Sequence, residues 1–163
     1  MLSWSVDQKE HPVMIMLPGN KVIVGNADAS YDAIHTFKVE QEGEKVAILA
    51  LGDFYQRGEK LAQKMKETFH VQPTLINPRF ASGMDIKLLE QLKENHELII
   101  TLEDGILDGG FGQKIASYYG DSNIKVKNYG LQKHFYDRYD PEELLKQEKM
   151  DTQSILEYIK SVL

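Results

Sequence analysis

KVAILALG, residues 45–52, holds no polar side chain between Val46 and Leu51. A strand with one face in water alternates apolar and polar residues. An unbroken apolar run of this length belongs instead to a strand covered on both faces, at the centre of a largely parallel sheet. The text that follows switches period. From Phe54 to Phe69, Leu61, Met65 and Phe69 recur every fourth residue while Lys60, Lys64 and Glu67 fall outside that stripe, the pattern of an amphipathic helix lying on such a sheet.

The same alternation extends downstream. Pro73–Pro78 reads as a strand and Asp85–His96 as a helix with Leu88, Leu89 and Leu92 inward. Glu97–Glu103 is a strand, a glycine-rich turn leads into a helix over Gly112–Tyr119, and Ile124–Tyr129 closes the sheet. Strands separated by helices predict an α/β protein, a three-layer α/β/α sandwich with right-handed crossovers and helices on both faces. Two further helices end the chain. Asp140 caps the first, with Pro141 at its first position, and Asp151 caps the second, whose apolar face is Ile155, Leu156, Ile159 and Leu163.

Upstream, Phe37–Gln41 is a strand, and the turn Glu42-Gly43-Glu44 predicts that it lies antiparallel beside the Lys45 strand. Residues 1–8 read as the tail of a helix and Pro12–Leu17 (PVMIML) as a short buried strand with no sheet of its own. Residues 18–36 are rich in Gly, Asn, Asp and Ala, a surface linker.

Composition narrows the function classes. At 163 residues the chain has room for one ordinary domain. Its 25 acidic against 19 basic residues give a net charge of −6, and no Lys/Arg stripe is present to displace counterions, so nucleic acid is not an expected partner. With no cysteine there is no thiol nucleophile and no thiolate metal site. No apolar run approaches a membrane span and the N-terminus carries no signal-peptide core, so a cytoplasmic protein without a membrane partner is expected.

The densest chemical signal is Thr101-Leu-Glu-Asp-Gly-Ile-Leu-Asp-Gly-Gly-Phe-Gly112, a strand end, glycines and a helix start. Free N–H groups at a helix N-terminus attract anions. However, Gly109, Gly110 and Gly112 do not fit the dinucleotide fingerprint, no Gly-Lys-Ser/Thr follows, and Asp104 and Asp108 would repel an anion. The alternative is structural: the glycines permit close packing of backbone or of subunits. Glu103 and Asp104, adjacent at a strand end, are either a shared-proton or metal-holding pair or, more simply, a turn and solvated charge. The five histidines are scattered without metal-ligand spacing, and Ser82-Gly83 lacks the G-x-S-x-G elbow. Tyr118, Tyr119, Tyr129, Phe135 and Tyr136 are core or interface aromatics.

Taken in order, Val46–Gly52, Asn77-Pro-Arg-Phe80, Asp85 with Leu88-Leu89, His96–Glu103, Gly109-Gly-Phe-Gly112 and Tyr129-Gly-Leu131 resemble the C-terminal domain of transketolase-like, thiamine-diphosphate-dependent enzymes, within them most closely the 1-deoxy-D-xylulose-5-phosphate synthase branch. The resemblance covers about residues 37–147. It implies a five-stranded, mostly parallel sheet with one antiparallel edge strand. It also implies that residues 1–17 are the end of a preceding pyrimidine-binding domain, residues 18–36 a linker, and residues 37–163 the C-terminal domain.

In that family the active site lies between a pyrophosphate-binding and a pyrimidine-binding domain, and the third domain supports the dimer. The resemblance therefore implies no catalytic, cofactor-binding or metal residues in this chain. Thiamine diphosphate and magnesium belong to the whole enzyme, which transfers a two-carbon ketol or acyl unit. The upstream domains would be the partners, a homodimer the assembly, and Glu103, Gly109, Gly110 and Gly112 a subunit contact. The family's diphosphate motif, Gly-Asp-Gly with a later Asn, has no counterpart here. Met16 stands where the synthase carries a phosphate-gripping arginine, and Gln132-Lys133-His134 replaces a Pro-Asp-basic run. The rival reading is a free-standing, flavodoxin-like module holding a small anion or nucleotide at Gly52-Asp53 and Gly105–Gly112. A third is an adaptor within a larger complex.

Overall fold

The computed structural model of the chain describes residues 2–17 and 36–163, and the chain divides into two units, Met1–Ile34 and His35–Leu163. The linker-like stretch lies, apart from Thr36, outside the described residues, as do Pro18 and Gly19.

In the first unit, α1 (Leu2–Asp7) is the expected helix tail. It is followed by a turn held by Gln8, whose Oε1 accepts from the Glu10 and His11 N–H groups. The expected strand over Pro12–Leu17 does not form. The segment carries no regular structure, and Met14, Met16 and Leu17 are exposed. The physical reason is that apolar, β-prone residues make a strand only against a partner strand.

The second unit holds a five-stranded sheet in the order β1-β3-β2-β4-β5. Its strands are β1 (Lys38–Gln41), β2 (Lys45–Ala50), β3 (Thr74–Asn77), β4 (His96–Ile106) and β5 (Lys125–Leu131). All neighbours run parallel except β1 with β3. A short 3-10 turn, Gly52–Phe54, leads into α2 (Tyr55–Phe69), and α3 (Ile86–Asn95), α4 (Phe111–Tyr118), α5 (Pro141–Gln147) and α6 (Thr152–Val162) complete the list. The alternation within β2 and β4 sorts the core into two halves. Val46, Ile48, Ala50, Leu98, Ile100 and Leu102 pack with Leu61 and Met65 of α2 and Ile155 and Ile159 of α6. Ala47, Leu49 and Ile99 pack on the other face with Leu89 and Leu92 of α3 and Phe111 and Ile115 of α4. These are the three layers, and Val46–Ala50 of the opening stretch are fully buried at their centre.

The caps at Asp140 and Asp151 are where the sequence places them, and Asp85, expected as the first residue of its helix, caps α3 instead. Asp85 accepts from the Leu88 N–H and also from the Phe37 N–H, so it ties the entry of β1 to the start of α3. Asp140 and Asp151 each accept from two N–H groups of the helices they open. At the far end Leu163 is exposed, not part of the α6 apolar face, and Val162 packs there instead.

One expectation is corrected. β1 is antiparallel and at the sheet edge, but its partner is β3, not β2. The 42–44 turn does not close a hairpin; it straddles the entrance of β3. The Gly43 N–H donates to Thr74 Oγ1 (3.0 Å), the Glu44 N–H to the Gln72 carbonyl (3.0 Å), and Gln72 Nε2 to the Glu42 carbonyl (2.7 Å). A side chain at Gly43 would stand 2.2 Å from the Gln72 carbonyl oxygen.

Thr74 carries this network inward. Its hydroxyl lies 2.8 Å from His96 Nε2, and His96 Nδ1 lies 3.0 Å from the Leu92 carbonyl. A carbonyl can only accept, so Nδ1 holds the proton, and a neutral ring then accepts from Thr74 at Nε2. Burial pushes the His96 pKa below the usual histidine value. At pH values between the folded pKa and about 6.5 the unfolded chain binds more protons at this residue, so stability there rises with pH. The His96 contribution is complete above about 6.5 and is lost as pH falls through the folded pKa. Urea midpoints measured from pH 8 to pH 5 should therefore fall below about pH 6.5, and less steeply in His96→Gln. Parallel profiles for the two proteins would refute this assignment.

Candidate functional site

β4 builds the site by its own alternation. Ile99, Thr101 and Glu103 point to the α4 side, and the series passes from apolar to polar as the strand approaches the start of that helix. Thr101 is fully buried, and its hydroxyl donates to Asn128 Oδ1 on the paired strand (3.0 Å). Glu103 is also buried, at 5% exposure. Its Oε2 accepts from the Phe111 N–H (2.9 Å) and its Oε1 from the Gly112 N–H (2.8 Å). These are the first N–H groups of α4, which have no partner within the helix. The position an anion would take at this N-terminus is thus filled by a side chain of the same chain. The reading of Glu103 as a solvated charge is corrected, because the strand delivers its carboxyl under the helix. Asp104, one residue on, is exposed.

The glycines fit this arrangement. A Cβ on Gly110 would lie 2.6 Å from the Ile106 carbonyl oxygen and 2.7 Å from Glu103 Oε1, and one on Gly112 would lie 2.4 Å from Thr101 Oγ1. Gly109 has φ +74° with open space around it, so it is backbone conformation that favours glycine there. The strand runs further than expected, to Ile106, which pairs with Leu131 after a register shift. The Leu107 N–H donates to the Leu131 carbonyl, so the loop is sewn to the end of β5. Gly52 and Asp53 sit at the carboxyl end of β2 in the turn before α2. The β2 and β4 exits lead to helices on opposite faces of the sheet, the place where open α/β sheets form their crevice.

The comparisons with known proteins agree with this geometry. The model of the family "Transketolase, C-terminal domain" matches residues 35–155. The chain belongs to that family. A 1-deoxy-D-xylulose-5-phosphate synthase of Clostridium botulinum (strain Alaska E43 / Type E3) is 35% identical over 158 residues, 95% of this chain and 25% of the relative. The synthase of Clostridium tetani (strain Massachusetts / E88) is 28% identical over 165 residues, 100% of this chain and 26% of the relative. A solved structure described as "Split gene transketolase, inactive beta4 tetramer" superposes with a TM-score of 0.68 at 21% identity, covering 78% of this chain and 42% of that one, and so shares the fold. The chain spans about a quarter of the length of the curated synthases it matches.

For a transketolase C-terminal domain, the cofactor question reduces to donor sets. Among the described residues no three His, Cys, Asp or Glu side chains gather into a group that could hold a metal ion. The N–H groups of α4 that would cradle a diphosphate are bonded to Glu103. This site does not fit thiamine diphosphate with magnesium. No helix among the described residues is long and apolar enough to cross a membrane.

The burial of Glu103 is the feature that sequence reasoning missed. Its signal was nevertheless present, since Glu103 shares strand parity with Ile99 and Thr101 and precedes a helix with one glycine, Gly110, just before its first residue and another, Gly112, at its second.

Proposed function

We propose that this chain is the C-terminal part of a 1-deoxy-D-xylulose-5-phosphate synthase/transketolase-like, thiamine-diphosphate-dependent transferase, and that it supports subunit association without contributing catalytic groups. Residues 1–17 end a preceding pyrimidine-binding domain, residues 18–36 link, and residues 37–163 form the C-terminal domain. The partners are the upstream pyrophosphate- and pyrimidine-binding domains, on the same polypeptide or a companion chain, and a second copy in a cytoplasmic homodimer. The loop shaped by Glu103, Gly109, Gly110 and Gly112 forms part of a subunit contact. In the whole enzyme the cofactor supplies the electron sink for two-carbon transfer.

The closed N-terminus of α4 carries this reading. It removes the anion-binding capacity that the rival flavodoxin-like module would use, while the coverage of about a quarter of the synthases leaves room for the catalytic domains elsewhere. The split-gene transketolase neighbour, described as inactive in its β4 tetramer, is a precedent for a part of such an enzyme assembling without turnover.

Calorimetric titration of the purified chain with thiamine diphosphate and magnesium should give no binding heat. A bound ligand at about a hundred times its Kd would add about 2.7 kcal/mol to the unfolding free energy, so the melting temperature should also stay fixed. Ketol or acyl transfer should appear only when a polypeptide carrying the two upstream domains is added. Stoichiometric cofactor binding by the chain alone would overturn the reading.

A further inference from the structure

The peptide that joins Thr36 to Phe37 is held on both of its polar sides. Arg79 donates to the Thr36 carbonyl from Nη2 (2.7 Å) and Nε (3.2 Å), and the Phe37 N–H donates to Asp85 Oδ2 (2.9 Å). Both charged groups come from the stretch between β3 and α3, and hydrogen bonds to ionised partners are the stronger kind. The Arg79 backbone lies at φ +63° and its N–H donates to Asn77 Oδ1 (3.0 Å). A residue other than glycine stays in that region only where its surroundings fix it there. Beyond β1 the chain is held again, by the bonds from Gly43 to Thr74 and from Glu44 to Gln72. Gln41 Nε2 adds a bond to the Pro73 carbonyl (2.9 Å). The Val46 N–H then returns to the Glu44 carbonyl (2.8 Å) around Lys45 at φ +66°, a three-residue turn of the strained kind.

We propose that residues 36–44 are a strap that opens and closes over the edge of β3 as one unit, latched at the Thr36–Phe37 peptide by Arg79 and Asp85 and hinged at Lys45. Segments that open locally are those with few buried apolar groups. From Thr36 to Lys45 only Phe37 is buried, its ring 5.9 Å from that of Phe111, whereas Val46–Ala50 are all fully buried. Burial thus changes abruptly at the strained turn, and the strap ends there. Between its two held ends β1 has four residues, and its register on β3 shifts between Val39 and Gln41. So short and interrupted a ladder does not hold by itself, so freeing either end frees the other. The covalent path from residues before Thr36 into the sheet runs through the latched peptide. A displacement arriving from that side therefore opens the strap, baring β3 at Leu75 and Ile76, before it disturbs the buried strands.

Native-state hydrogen exchange of the full chain, resolved by residue at fixed pH, tests it. In the wild type the Phe37, Gly43 and Glu44 amides should share one level of protection, below that of Val46–Ala50. Asp85→Ser is the first variant, because a serine still caps α3 but offers no second oxygen to Phe37. Arg79→Gln is the second, releasing the Thr36 carbonyl instead. Each should speed exchange about tenfold, the loss of one bond to an ionised group, at Phe37 and equally at Gly43 and Glu44, which neither substitution touches. Gly43→Ala should act in reverse and speed exchange at Phe37. The amides of Val46–Ala50 and Leu98–Leu102 should keep their wild-type rates in every variant. Acceleration confined to the altered end would overturn the strap, since its two ends would then open separately. Equal acceleration through β2 and β4 would overturn it too, because the sheet would be opening as a whole.

Discussion

Glu103→Ala should lower the unfolding free energy by about 3–5 kcal/mol, a fall in Tm of roughly 10 °C. Two N–H groups at the buried start of α4, those of Phe111 and Gly112, lose their acceptors at once. Water does not readily replace the lost carboxyl, because Gly110 and Gly130 crowd the same side chain. An unsatisfied buried donor costs about 1–3 kcal/mol, and a hydrogen bond to an acidic side chain is worth more than a neutral one. Glu103→Gln is the sharper control. It keeps the shape and one acceptor oxygen but turns an NH2 donor toward a second donor, so about half of the alanine effect is expected. Chemical denaturation of the three proteins measures the series. A Glu103→Ala protein that unfolds with the wild type would show that α4 does not depend on this carboxyl.

The second large effect is expected at Gly43. Its Cβ position meets backbone, 2.2 Å from the Gln72 carbonyl oxygen and 2.4 Å from the Pro73 carbonyl carbon. Backbone cannot rotate away as a flexible side chain would. Gly43→Ala must therefore lift the turn off β3, breaking the bonds from Gly43 to Thr74 and from Glu44 to Gln72. The cost should be about 3 kcal/mol, at the upper end for one added methyl. The damage should be local, because β1 is an edge strand whose neighbour in the sheet is β3. Hydrogen exchange should show the amides of β1 losing protection while those of β2 and β4 keep theirs. Uniform loss across the sheet would contradict this account.

The sequence made some parts of this architecture legible and concealed others for definable reasons. Periodicity is a local property, so the central strand at Val46–Ala50 and the helix on Leu61 and Met65 could be read directly. Capping is local as well, and Asp140 and Asp151 cap the helices they were expected to cap, while Asp85, expected as the first residue of its helix, is that helix's cap. Pairing is not local. The short turn at Gly43 looks like a hairpin because nothing within a few residues reveals that β3 will insert between β1 and β2. The failure at Pro12–Leu17 has the same origin, since a strand is defined by a neighbour as much as by its own residues. At the candidate site, the glycines were legible as a close-packing signal, but what they pack against was not. The partner of Gly110 and Gly112 is the carboxyl of Glu103, several residues earlier in the chain and brought there by a strand, a loop and a helix start.

The crowding around Gly112 has a consequence for change over time. Its missing side chain is the space occupied by Thr101 Oγ1 and Asn128, two residues hydrogen-bonded across neighbouring strands. None of the three can be exchanged for something larger on its own. Substitutions here are workable only as a compensated set, so this corner of the domain should drift slowly and in step, while the surface of α2 a short distance away remains free to vary one position at a time.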